Sequence, residues 1–261
     1  MKIGFRTAGF HQWPTPRVLT LLGDLGYDGV EICLENPDCR PETLTPVGAA
    51  DLARQCADAG LEVASVSFHA DAEEPALRRE NTVRALSLVP AFGADVFIMN
   101  GRRPEPGAEE RTRAELTGLL DVLLPRAEAD GLRVAIEPEP GLAIGSSAEM
   151  QALLDRVGTP HLAVNLDVGH AFLTDPDVCE SIRLLGPAIA HTHLEGMAAG
   201  LHKHLLPGEG DLDLVAVCRT LAGVGYRGCY TIDLFAIADD PARWARLALD
   251  AMRETLAQAG L

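Results

Sequence analysis

The sequence predicts one α/β domain over residues 1–261, a (β/α)8 barrel. Three observations carry this. Short apolar runs rich in β-branched residues alternate with amphipathic helical stretches along the whole chain. The repeat is roughly 30 residues, the size of one strand–helix unit. An ionisable or amide residue stands at the C-terminal edge of nearly every apolar run, the face on which barrel enzymes build their sites.

The strand candidates are KIGFRT (2–7), GVEICLE (29–35), VASVSFH (63–69), DVFIMNG (95–101), RVAIEPE (133–139), LAVNLDVGH (162–170), IAHTHLE (189–195) and GCYTIDLF (228–235). Between and after them lie helical stretches at 16–26, 47–60, 80–93, 110–131, 147–158, 177–186, 211–225 and 241–260. Several end in Gly, and Ser146 and Ser147 offer N-caps to the fifth. An open doubly wound sheet would need a Gly-rich phosphate loop after the first strand, and FRTAGFHQ has no G-x-G-x-x-G. The Pro-rich stretches 36–46 and 103–107 read as loops over the barrel mouth.

Composition narrows the function classes. Net charge is −16, from 22 Lys+Arg against 38 Asp+Glu. So acidic a chain repels phosphate backbones, and no nucleic-acid partner is expected. The six cysteines are scattered with no C-x-x-C pair, which fits reduced, mostly buried thiols. MKIGF enters a strand at once, with no apolar leader and no apolar run near 18 residues. A cytoplasmic protein with no membrane partner is the expectation.

Strand ends taken in order give Arg6, Glu31 or Glu35, His69, Asn100, Glu137 or Glu139, Asp167 with His170, His191 or His193, and Asp233. Buried charge is costly unless paired or metal-bound, so this run points to a metal centre. Alternate strand residues share a face, so Glu137 and Glu139 are equivalent by parity, as are His191 and His193. His193 lies nearer the mouth; the two glutamates stay undivided. Three carboxylates and an imidazole suit Mn2+, Mg2+ or Co2+, and Zn2+ if more histidines join. Such a cation stabilises the enediolate formed when a proton leaves a carbon next to a carbonyl. Two bases on opposite faces would then move the proton.

MKIGF, GYDGVEI (26–32), IEP (136–138), DVGH (167–170), HTH (191–193) and PGEG (207–210) together resemble the xylose-isomerase-like barrels over essentially the whole chain. That family includes sugar-phosphate isomerases and epimerases, hydroxypyruvate isomerase, ketose 3-epimerases, inosose dehydratases and the endonuclease IV (family 2 AP endonuclease) group. The resemblance implies that Glu137, Asp167, His193 and Asp233 are the metal ligands. His170 matches a histidine near the substrate or a second metal, and Glu31 a strand-two carboxylate of varying role. Two departures stand out: Asp233 replaces the usual Glu, and Ala143 takes the place of a second Glu in the ketose 3-epimerases. His202, His204 and His69 fall on endonuclease IV ligand positions, but Asn100 stands where that group has a histidine.

The expected activity is isomerisation or epimerisation of a small sugar, sugar acid or polyol derivative. A dehydratase or lyase of a cyclitol or sugar acid is the alternative, and a multinuclear phosphoesterase a third. Glu137, Asp233, Glu139 and His204 are the expected catalytic residues. His170, His202, His69, Glu31, Arg6 and Trp13 are the expected substrate contacts, with HKHLLPGEG (202–210) as a lid. By resemblance the chain is expected to form a homodimer or homotetramer.

Overall fold

The computed structural model describes residues 1–70, 73–234 and 239–261. In chain order the strands are β1 (Ile3–Arg6), β2 (Gly29–Cys33), β3 (Glu62–Ser67), β4 (Val96–Asn100), β5 (Arg133–Glu137), β6 (Leu162–Asp167), β7 (Ile189–Leu194), β8 (Gly196–Ala198), β9 (Leu201–Leu205) and β10 (Tyr230–Ile232). All but β8 and β9 close into a parallel barrel in which β10 sits between β7 and β1. The (β/α)8 barrel expected from the alternation is therefore the fold.

The helices are α1 (Thr15–Leu25), α2 (Pro46–Asp58), α3 (Pro75–Phe92), α4 (Glu109–Asp130), α5 (Ser147–Val157), α6 (Val168–Thr174), α7 (Val178–Leu185), α8 (Leu214–Gly223) and α9 (Pro241–Ala259). Their apolar stripes meet the outer face of the barrel in one continuous core. A smaller cluster of Val96, Ile98, Ala135, Ala163 and Ala190 forms a second, separate core. On β4, β5 and β6 its members precede Asn100, Glu137 and Asp167 by two or four residues, so they share those residues' face. Below Glu137 and Asp167 these members are alanines, Ala135 and Ala163, which leave room for the longer polar side chains above.

The glycine that opens GYDGVEI (26–32) has a physical reason: Gly26 ends α1 at φ 87°, a left-handed cap that glycine adopts without a Cβ penalty. No described helix is long and apolar enough to cross a membrane.

Four segments depart from the expected outline. Strand six ends at Asp167, not 170, because the Asp167 side chain accepts from the His170 amide and starts α6. Strand two ends at Cys33, which leaves Glu35 in the following turn. The 202–210 segment is not all loop, since β9 pairs antiparallel with β8 to make a hairpin. The expected last strand shortens to three residues, and its Phe235 lies outside the described residues.

Candidate active site

Strand register gathers the polar strand ends. Arg6 is level with Glu31, Asn100 with Glu137, and Asp167 with His193. Thr231 pairs with His193, which brings Asp233, two residues on, to the same mouth. Nδ1 of His193 lies 3.3 Å from Glu137 Oε2, 3.8 Å from Asp233 Oδ2 and 3.9 Å from Asp167 Oδ2. None of the four residues is more than 2% exposed.

Three buried carboxylates around one ring nitrogen repel one another unless a cation joins them. Among the described residues, Asp167 Oδ2 and Asp233 Oδ1 have no hydrogen-bond partner. Orphaned carboxylate oxygens grouped with an imidazole nitrogen are what a divalent cation satisfies, so the donor set fits one. Glu137, Asp167 and His193 lie close enough to share an ion, as do Asp167, His204 and Asp233.

Beneath this ring lies Glu31, wholly buried. Its Oε2 is 2.9 Å from His193 Nε2 and 3.1 Å from His191 Nε2, and it accepts from Ser65 Oγ at 2.9 Å. Its Oε1 is 3.0 Å from Arg6 Nε. Burial pushes the Glu31 carboxyl up, but the two imidazoles and the guanidinium outweigh it and hold it well below the usual range. Burial lowers the His193 imidazolium, but Glu31 and Glu137 outweigh it and raise it well above the usual value. Glu31 holds the Nε2 proton, so Nδ1, turned to the carboxylates, is the atom that would exchange its proton for a cation. His191 belongs to this lower layer, so depth separates two histidines that parity could not.

Arg6 bridges the layers. It donates to Asp233 Oδ2 at 2.8 Å and to His69 Nδ1 at 2.6 Å. Because a guanidinium only donates, His69 accepts through Nδ1, and its Nε2 donates to Glu137 Oε2 at 3.1 Å. Asn165 Nδ2 donates to the same Glu137 oxygen at 2.7 Å. Burial raises the Glu137 carboxyl, yet His193 and His69 more than offset this and bring it well below the ordinary value.

The short α6 carries His170 over the site, with Nδ1 3.5 Å from Glu137 Oε1 and 3.6 Å from Asp167 Oδ2. The β8–β9 hairpin adds His202 and His204, whose rings stand 4.8 and 5.7 Å from that of His170. His204 Nδ1 also bonds the Asp233 carbonyl at 2.8 Å. Beneath α6, Glu195 accepts from the Gly169 amide at 2.7 Å. Burial and the neighbouring Asp167 push the Glu195 carboxyl well above the ordinary range.

A cavity of about 420 Å³ opens above these groups. Arg6, His69, Glu137, Glu139 and Asp233 reach its wall, together with His170, His202 and His204. Glu139, two residues past Glu137, is half-buried and accepts from Asn100 Nδ2 at 3.1 Å. Two expected substrate contacts are placed elsewhere. Glu31 is in the lower layer. Trp13 packs on Phe10 with Arg17 3.6 Å over its ring, and neither Glu31 nor Trp13 reaches the wall. Sequence reading passed over His11, Cys33, Asn36, Asn165 and Glu195. Parity would have found Asn165 from Asp167 and Glu195 from His193.

A family model described as xylose isomerase-like TIM barrel matches residues 19–255. An uncharacterized protein of Mycobacterium leprae is 26% identical over 258 residues, covering 90% of this chain and 89% of its own. A fructoselysine 3-epimerase of Escherichia coli O157:H7 is 24% identical over 275 residues, covering 98% of each. The solved structure of an IolI protein with a bound zinc atom superposes with a TM-score of 0.83 at 19% identity, covering 99% of each chain.

Proposed function

The chain belongs to the xylose isomerase-like TIM barrel family, and from that premise we propose that it is a divalent-metal-dependent isomerase or epimerase of a small sugar or polyol derivative. One observation carries the reading: three buried carboxylates converge on Nδ1 of His193 beneath an open polar cavity. Kinship to a protein named as a sugar 3-epimerase supports the same reaction class.

Glu137, Asp167, His193 and Asp233 would hold the cation. The oxygen-rich set suits Mn2+, Mg2+ or Co2+, and Zn2+ is served by the imidazole. When bound, the ion supplies Lewis-acid polarisation of a sugar carbonyl and its neighbouring hydroxyl. Glu139, on the wall and outside the ligand ring, takes the proton from the carbon next to the carbonyl. Asp233, which follows the strand three places around the barrel from β5, serves the other face of that carbon. His170, His202 and His204 present ring nitrogens to substrate hydroxyls. Arg6 keeps Asp233 ionised: burial raises that carboxyl, and the guanidinium leads the groups that bring it below its usual value.

The test is NMR in deuterated water with the metal-loaded protein and a panel of ketoses and polyols. The reading expects deuterium at the carbon next to the carbonyl and a product of unchanged composition. Loss of water from the product would move the assignment to a lyase. A panel with no exchange at all would overturn both.

A further inference from the structure

We infer that this cavity selects sugars that are uncharged or carry an amine, and turns away phosphate esters and sugar acids. The inference rests on the reading of the cavity as a sugar site.

Its wall carries four carboxylates, those of Glu35, Glu137, Glu139 and Asp233. Among the described residues, Arg6 is the one lysine or arginine on that wall. Its guanidinium is already spent on partners: Asp233 at 2.8 Å, Glu31 at 3.0 Å and the His69 ring at 2.6 Å. The sequence of the residues outside the description, 71–72 and 235–238, holds no Lys or Arg. Lys203 alternates with His202 and His204 along β9, so it points to the opposite face of the hairpin, and it is exposed.

A bound divalent cation does not reverse this balance. Glu31 and Asp167 lie directly below the wall, and with them the site holds six carboxylates against Arg6 and the ion. A phosphate or carboxylate would bring further negative charge into a half-enclosed space that already has an excess. It would also meet no donor fork of the kind that recognises such groups, because the one present is occupied. The net charge of −16 opposes its approach from solution as well. Hydroxyls fit the ring nitrogens of His170, His202 and His204 and the side-chain amide of Asn36, and an ammonium group would gain from Glu139.

The test is calorimetric titration of the full-length, Mn2+-loaded protein with matched ligand sets. Each set holds a ketose or polyol, its terminal phosphate ester, its terminal carboxylic acid and an amino-deoxy analogue. At least one uncharged or amine-bearing member should bind, with its anionic partners weaker by about tenfold or more. That gap should narrow in about 0.5 M salt. His11, exposed on the rim, and Glu139 give two independent variants. His11→Lys and Glu139→Gln should each move the ratio of affinities toward the phosphate ester, by about threefold or more. An anionic member that binds as tightly as its uncharged parent overturns the inference, as does failure of every uncharged and amine-bearing member to bind. Deuterium exchange on the same panel keeps the two readings apart. Binding in the expected order without exchange contradicts the isomerase reading alone. Exchange that favours the anionic members contradicts the charge rule alone.

Discussion

The Glu31 carboxylate stands 2.9 Å from Nε2 of His193, while Nδ1 of the same ring meets Glu137, Asp167 and Asp233. A carboxylate behind a ligating imidazole fixes its tautomer and raises its basicity. Glu31→Gln keeps the shape but not the charge. It should leave the fold intact and weaken metal affinity by about 10- to 100-fold. Glu31→Ala takes one partner from the buried Arg6 and should cost about 3–5 kcal/mol of stability. Metal titration and urea unfolding measure the two effects. Unchanged metal affinity in the glutamine variant would contradict the role.

Ala70 is the one described non-glycine residue at positive φ, 56°, directly after His69. Glu35 Oε1 accepts from both the His69 and Ala70 amides, and Arg78 Nε donates to the His69 carbonyl. Two charged side chains, the buried Arg78 and the partly buried Glu35, thus hold the strained turn that aims His69 at Glu137. Ala70→Gly relieves the Cβ clash and should stabilise the protein by up to about 1 kcal/mol. Glu35→Ala strands two buried amides and should destabilise it by about 2–4 kcal/mol. Denaturant midpoints of both variants check the pair. A stabilising Glu35→Ala would show that the turn is not held this way.

The thiols should differ sharply in reactivity. Burial pushes Cys39, Cys56, Cys218 and Cys229 up to about 12, and Cys33 well above the ordinary value. Only Cys179 is partly exposed. A thiol-labelling time course near pH 8 should therefore show one fast site, identified by peptide mapping as Cys179. Rapid labelling of Cys39 or Cys218 in the folded protein would contradict the packing.

Much of the fold was legible because parallel strands buried on both faces leave apolar runs, against which a strand-end Glu137, Asp167 or His193 stands out. Their convergence followed from barrel geometry alone. The start of α6 was not legible: Asp167-Val168-Gly169-His170 continues a strand pattern, and only the Asp167 cap on the His170 amide turns it into a helix. LHKHL looked like loop because its pairing with Gly196–Ala198 buries little of it. Glu31 was expected at the substrate. Its actual partners, His191 and His193, lie about 160 residues away in sequence, and strand pairing in a closed barrel, not local pattern, brings them together.

The central claim, that Glu137, Asp167, His193 and Asp233 form one divalent-metal centre, is tested most directly by metal content. Wild type, Asp167→Ala and His193→Ala would be loaded with Mn2+, dialysed and assayed by elemental analysis, with circular dichroism to confirm the fold. The expected result is bound metal in wild type and its loss from both folded variants. Metal content unchanged in both folded variants would contradict the account.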